Sequence, residues 1–211
     1  MTKPTVEMYI DPLCPWAWLT SRWLHEAEKV RPFTVVTKVF SLALVNAGNK
    51  RYRGSLTSSE PSGRVLVGAR RAGGEEAIRA VYTELGEAHH ERDQPLGRES
   101  ALRAAVTAAG LDPALVSTAL SDDSIQAEVV AEYEAAVERG AFGVPTLSID
   151  GSPAYFGPIV DRRITGEEAG ELWDIAVPLL RHPHVFELKR SRSSEPDVGR
   201  ALKRVAAAAA R

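Results

Sequence analysis

Val6-Glu7-Met8-Tyr9-Ile10 alternates apolar and polar side chains, the period of a half-buried strand, and predicts the first strand. Asp11-Pro12-Leu13-Cys14-Pro15 breaks that alternation. Leu19, Trp23, Ala27 and Val30 then recur at helical spacing, with Arg22, Glu26 and Lys29 facing elsewhere. Arg31-Pro32 ends the helix, because proline disfavours helical geometry in the residue before it. The β-branched run from Phe33 to Phe40 predicts a second strand. The first forty residues therefore read β-α-β, a right-handed crossover between parallel strands.

From Asn46 to Ser62 the chain is polar and rich in Gly, Ser and Asn, which reads as a loop. Helical stripes follow: Ile78, Val81, Tyr82 and Leu85; Leu102, Ala105, Val106 and Ala109; Ile125, Val129, Tyr133 and Val137. Asp112-Pro113 opens a further helix, with aspartate as N-cap and proline in the first turn. Strand signals return at Pro145 to Ile149. Asp150-Gly151 predicts a tight turn into Ala154-Tyr155-Phe156-Gly157, completing a hairpin. Thr165 and Glu168 fit a capping box ahead of a helix through Leu172, Trp173, Ala176 and Leu180 that stops near His182-Pro183. Beyond it lie a mixed apolar and basic segment, Val185 to Arg192, and an alanine-rich end. The order β-α-β, helices, β-β-α predicts an α/β thioredoxin fold with an all-helical insertion. Residues 1–45 and 141–192 form the thioredoxin-like part, 63–140 the insertion and 193–211 a C-terminal tail.

Composition narrows the function classes. The chain has 211 residues, 44% hydrophobic, with a net charge of -2. No apolar run approaches the roughly 18 residues of a membrane span, so no membrane association is expected. The near-neutral balance speaks against a nucleic-acid partner, which selects a basic face. The first residues carry no apolar leader, and a cytoplasmic location is the expectation. A homodimer stays open.

One cysteine, Cys14, is present. It can make no internal disulfide and no four-cysteine zinc site. Composition alone favours an inert, buried thiol; its neighbours reverse that reading. Cys14 stands where a strand gives way to a helix, close to free backbone N–H groups and the positive end of the macrodipole, both of which favour thiolate. A depressed pKa is therefore the expectation. Pro15 suits the first helical turn. Trp16 and Trp18 can wall the site. In Gly143-Val144-Pro145-Thr146, a proline opens a strand after a glycine, a candidate position for a cis X-Pro bond.

Asp11-Pro12-Leu13-Cys14-Pro15-Trp16 resembles the active-site segment of the DsbA-like thioredoxin family. Gly166-Glu167-Glu168-Ala169-Gly170, Leu172-Trp173-Asp174, Pro183-His184 and Phe186-Glu187-Leu188-Lys189-Arg190 resemble one branch, the mycothiol-dependent nitroreductases. Val144-Pro145-Thr146 and Phe156-Gly157-Pro158 fall in the same order there. The resemblance covers roughly residues 6 to 196. It implies that Cys14 is a nucleophile forming mixed disulfides with a low-molecular-weight thiol, mycothiol. It implies that Pro15 and Trp16 border the substrate, that Pro145 is the cis-proline facing the thiol, and that Val144 pairs with substrate through its backbone. His90 matches a family histidine of the insertion near the cleft.

The family pattern Cys-Pro-Trp-Cys here reads Cys-Pro-Trp-Ala. Ala17, at the resolving position, carries no sulfur, so a mixed disulfide on Cys14 must be resolved by an external thiol or redoxin. A natural one-thiol member and a Cys-to-Ala trapping variant both fit that letter. The substrate expected is a small-molecule electrophile or disulfide. Two other readings stay open. One is a thiol transferase or isomerase of the glutathione transferase kappa type. The other is a catalytically silent small-molecule binding protein. No metal is expected: His89 and His90 read as solvated helix-end residues with no carboxylate or thiol cluster beside them. His182 and His184 suggest capping. Gly68 to Gly74 lacks the ending of a phosphate loop. Trp23 and Trp173 read as core, and Lys189, Arg190, Arg192, Arg200, Lys203 and Arg204 as a solvated basic face.

Overall fold

A computed structural model describes residues 3–52 and 56–199. Strands β1 (Thr5–Ile10) and β2 (Thr34–Val39) flank helix α1 (Pro15–Val30) and pair in parallel, with Thr5 opposite Thr34 and Ile10 opposite Val39. The predicted crossover is thus present. On its other side β1 pairs antiparallel with β3 (Thr146–Ile149), which pairs antiparallel with β4 (Tyr155–Phe156), giving the order β2-β1-β3-β4. Asp150 (φ 50°) and Gly151 (φ 77°) both take left-handed backbone, and Ser152 N–H donates to Ile149 O at 3.0 Å. That is the geometry the Asp-Gly pair predicts for a tight hairpin turn. Met8, Tyr9 and Ile10 are all buried, so the alternation in β1 ends where the central strand is covered on both faces.

Between β2 and β3 run a short helix α2 (Leu42–Val45), a 3-10 turn (Lys50–Tyr52), and helices α3 (Ser59–Gly86), α4 (Glu99–Ala108), α5 (Ala114–Ser121) and α6 (Asp123–Glu138). Part of the expected loop is therefore helical: α3 begins at Ser59, inside the 46–62 stretch. Two glycines of α3 are packing positions. A Cβ on Gly63 would lie 3.2 Å from Val39, and one on Gly68 would lie 3.1 Å from Ala119. Non-helical backbone at Gly73 and Gly74 breaks α3 into two segments. Asp112 caps the α5 region as expected, its carboxylate accepting from Ala114 N–H at 2.8 Å.

Helix α7 (Gly166–Leu180) closes the fold against α1. Trp23 donates its indole N–H to Ala169 O at 3.0 Å, and Trp173 stacks on Phe33 with ring centroids 3.6 Å apart, so both tryptophans are core as predicted. Gly170 lets the helices approach, since a Cβ there would lie 2.9 Å from Val30. The capping box at Thr165 does not form. Thr165 makes no side-chain cap bond, and the Glu168 carboxylate pairs instead with Arg162 at 2.8 Å, a charge-assisted contact that outcompetes a neutral N–H. The alanine-rich end lies outside the described residues. Among those described, no helix is long and apolar enough to cross a membrane.

Candidate active site

Cys14 is the N-cap residue of α1 and Pro15 occupies its first turn, the placement the sequence predicts. The Cys14 sulfur accepts the Ala17 N–H at 3.4 Å, and its S–H donates to Val144 O at 3.4 Å. The Val144-Pro145 peptide bond is cis. The structure therefore brings Cys14 against Val144, 130 residues away in sequence, at the cis-proline Pro145. A second cis bond, Gly157-Pro158, had no separate signal. The Pro158 carbonyl accepts from the Thr20 hydroxyl at 2.8 Å, tying the segment after β4 to α1.

Two buried groups shape the loop before Cys14. Asp11, immediately after β1, is the first. Its carboxylate accepts from Leu13 N–H (2.9 Å), Leu42 N–H (2.8 Å) and the Ser59 hydroxyl (2.5 Å), so one side chain joins β1, the cysteine loop, α2 and α3. Burial pushes its pKa up, against the pull of those three donors. Asp11→Asn removes one acceptor oxygen from this network. A buried donor left unmatched costs about 1–3 kcal/mol, which we expect as a lower denaturation midpoint in urea.

His90 is the second group. It lies in a π-helical turn (Glu87–Glu91) that continues α3, is buried, and shares a 2.8 Å hydrogen bond between Nε2 and Pro12 O. The expectation of a solvated His90 is thus corrected: the extra residue of the π turn directs its ring inward. Its ring stacks on Trp18 at 6.0 Å. His90 borders the cysteine loop and grips its backbone. His89, half-buried beside it, shares a hydrogen bond with Gln94 O at 3.2 Å. Trp18 does not wall the site but is fully buried beneath it, whereas Trp16 is half-buried at the mouth.

The tail supplies what sequence reasoning missed. Arg192, read from sequence as part of a solvated face, stacks its guanidinium 4.6 Å above the Trp16 ring. Trp16, Arg192, Ser193, Ser194 and Glu195 line a cleft of about 320 Å³. Ser194 donates to the Asp161 carboxylate, Asp197 N–H donates to Asp161 O at 2.7 Å, and Val198 is buried, which anchors the segment. No signal in the sequence links position 192 to position 16. His182 and His184 lie exposed at the end of α7. No group of three or more His, Cys, Asp or Glu suited to a metal ion occurs among the described residues.

The expectation of a depressed Cys14 pKa is overturned. Burial pushes the thiol up to about 11, and Asp11 adds to the rise. The N–H groups of Ala17 and Trp16 and the charge of Arg192 pull in the opposite direction without prevailing. The helix end is present, but Cys14 is only 8% exposed, and removing a thiolate from water outweighs two N–H donors. In this arrangement the resting group is a thiol. Alkylation by iodoacetamide is accordingly expected to accelerate about tenfold per pH unit through neutrality and to level off only near pH 11. A plateau below pH 8 would contradict the burial argument. The same shift links to stability: the folded state holds this proton more tightly, so its contribution is complete below the unfolded-state pKa and fades as pH rises through about 11.

The sheet order, a cysteine capping the first helix and a cis-proline opposite it define a thioredoxin-fold protein of the DsbA type. The sequence profile of the Rv2466c-like family, described as mycothiol-dependent nitroreductase Rv2466c, matches residues 13–190, and the chain belongs to that family of oxidoreductases. It is 29% identical over 191 residues to protein Rv2286c of Mycobacterium tuberculosis, covering 90% of this chain and 83% of that one. Solved structures share the fold, two of them as follows. The "probable DsbA oxidoreductase SCO1869" of Streptomyces coelicolor superposes with a TM-score of 0.62 at 19% identity, covering 92% of this chain and 97% of the other. A 2-hydroxychromene-2-carboxylate isomerase gives 0.60 at 20% identity, covering 84% and 95%.

Proposed function

We propose that the chain is a one-cysteine thiol-disulfide oxidoreductase in which Cys14 exchanges with a low-molecular-weight thiol, mycothiol, through a mixed disulfide that an outside thiol resolves. The observation that carries this reading is the placement of Cys14 Sγ. It sits between the Ala17 N–H and the Val144 carbonyl at a cis-proline, with no second sulfur at position 17. Family membership supports the choice of thiol.

The steps follow from the site. A partner that takes the Val144 carbonyl as its own hydrogen-bond acceptor removes the S–H acceptor, while the Ala17 N–H stays aimed at the sulfur. Cys14 then loses its proton to solvent and attacks a disulfide. The new S–S bond forms on Sγ, the old one breaks, and the electron pair leaves with the departing thiolate. An external thiolate attacks the mixed disulfide and returns Cys14 to the reduced form. A small electrophile would meet the same sulfur.

Intact mass after incubation with mycothiol disulfide tests the reading. One adduct on the native chain is expected, none on Cys14→Ser, and the adduct should persist until free thiol is added. No adduct on the native chain overturns the proposal. Catalytic turnover that survives Cys14→Ser overturns it too and assigns the chemistry to a thiol activated without a protein sulfur.

A further inference from the structure

Arg192 is an exposed cation stacked on Trp16, two residues from the reacting sulfur, and among the described residues it forms no ion pair and no hydrogen bond. Its position is fixed from both sides. Trp16 is carried by the first turn of α1, and the segment bearing Arg192 is held by the Ser194 and Asp197 contacts to Asp161 and by buried Val198. Most other arginines at the surface are neutralised, for example Arg31 by Glu167 and Asp174, Arg103 by Glu99, and Arg181 by Asp150. A guanidinium held by a ring face keeps its N–H edge free for an anion.

We propose that Arg192 and Trp16 form an anion-receiving subsite of the Cys14 centre, which favours disulfide substrates bearing a carboxylate or comparable negative group and receives the charge released as their thiolate departs. This deepens the oxidoreductase reading and rests on Cys14 being the attacking sulfur. In the exchange, negative charge moves from Cys14 Sγ to the leaving sulfur as one S–S bond forms and the other breaks, with no external oxidant consumed. A cation at the mouth therefore acts on both ends of the transfer. Glu195 lines the same cleft and opposes the anion, so it sets the upper limit of the preference. The charged or polar groups that act on Cys14 include Asp11, Arg192, the N–H groups of Trp16 and Ala17 and the Val144 carbonyl, with the Tyr82 phenol also within electrostatic reach.

The test compares two coloured disulfides at fixed pH, the dicarboxylate dithiobis(nitrobenzoate) and the uncharged dithiodipyridine, on the native chain and on Arg192→Ala, Arg192→Lys and Glu195→Gln. The readout is the ratio of the two second-order rate constants. Exposed charge pairs of this kind change a ratio by roughly twofold to fivefold. Arg192→Ala is expected to lower it by that amount, Arg192→Lys to lower it less, and Glu195→Gln to raise it. The difference should shrink in high salt. A ratio unchanged in both Arg192→Ala and Glu195→Gln overturns the subsite while leaving the oxidoreductase reading in place. Failure of the native chain to react with either disulfide overturns the oxidoreductase reading instead.

Discussion

Ala17→Cys should convert the long-lived adduct on Cys14 into a transient one. Residues three apart on a helix place their Cβ atoms about 5–6 Å apart, wider than the roughly 3.5–4.5 Å of a disulfide, so the bond closes through a shift of the first turn. Ala17 is fully buried and already directs its N–H at Cys14 Sγ over 3.4 Å, so a sulfur at position 17 starts beside the mixed disulfide. Its attack is intramolecular, and the bound thiol is expelled as a thiolate while an internal disulfide closes. Intact mass of the variant treated with mycothiol disulfide is expected to show loss of two hydrogens and no retained thiol, where the native chain keeps the thiol. An adduct as durable on the variant as on the native chain would show that the first turn is too rigid to close the bond. The proposed role of the outside thiol follows directly: it stands in for one missing side chain.

Gly86→Ala is expected to have the largest effect on stability. A Cβ on Gly86 would lie 2.2 Å from the Trp18 ring, a distance no real pair of carbons shares. Trp18 cannot step aside easily. It is fully buried, with Tyr82 edge-on at 5.8 Å, His90 stacked at 6.0 Å and the Arg22 guanidinium 4.2 Å over its face. Overpacking in a closed core costs about 1–3 kcal/mol and sometimes more, and a contact this short belongs at the upper end. For a chain of this size each kcal/mol shifts Tm by about 2–4 °C, so a fall of roughly 6–12 °C is expected by thermal unfolding. The site should feel it as well. His90 sits on Trp18 and holds Pro12 O, so a displaced indole moves the loop that carries Cys14. A variant with unchanged Tm and unchanged Cys14 alkylation would contradict this packing.

The features legible in the sequence are those written in a few consecutive residues. Cys14-Pro15 fits a helix cap because cap chemistry is local, and Asp150-Gly151 fixes its turn because only the backbone of those residues is involved. The stripes of α1, α4 and α6 and the β-α-β opening emerge from periodicity. What the sequence hides is pairwise. Glu168 could bond back to its own helix or out to Arg162, and the choice depends on a loop whose position no local pattern states. Gly63 and Gly68 give no local sign of the side chains, Val39 and Ala119, that lie against them. The most consequential miss is the charge state of Cys14. A helix N-terminus argues for thiolate, but the strength of that argument depends on how much water reaches the sulfur. That is decided by Val144, 130 residues away, and by the residues that bury the cap. His90 and Arg192 are further cases in which the partner, Pro12 O or Trp16, decides the role.

The anchored segment from Arg192 to Val198 follows every other described element in the chain. On the ribosome it is therefore the last described part to emerge, after β1, α1 and the cis-proline loop have had time to assemble. A nascent chain arrested before residue 192 carries Cys14 and Trp16 without the Arg192 guanidinium above the indole, and synthesis of residues 192–198 delivers that cation together with the contacts that anchor it. The order of translation thus makes the site's completion a late event, separable in time from the folding of the domain that bears its nucleophile.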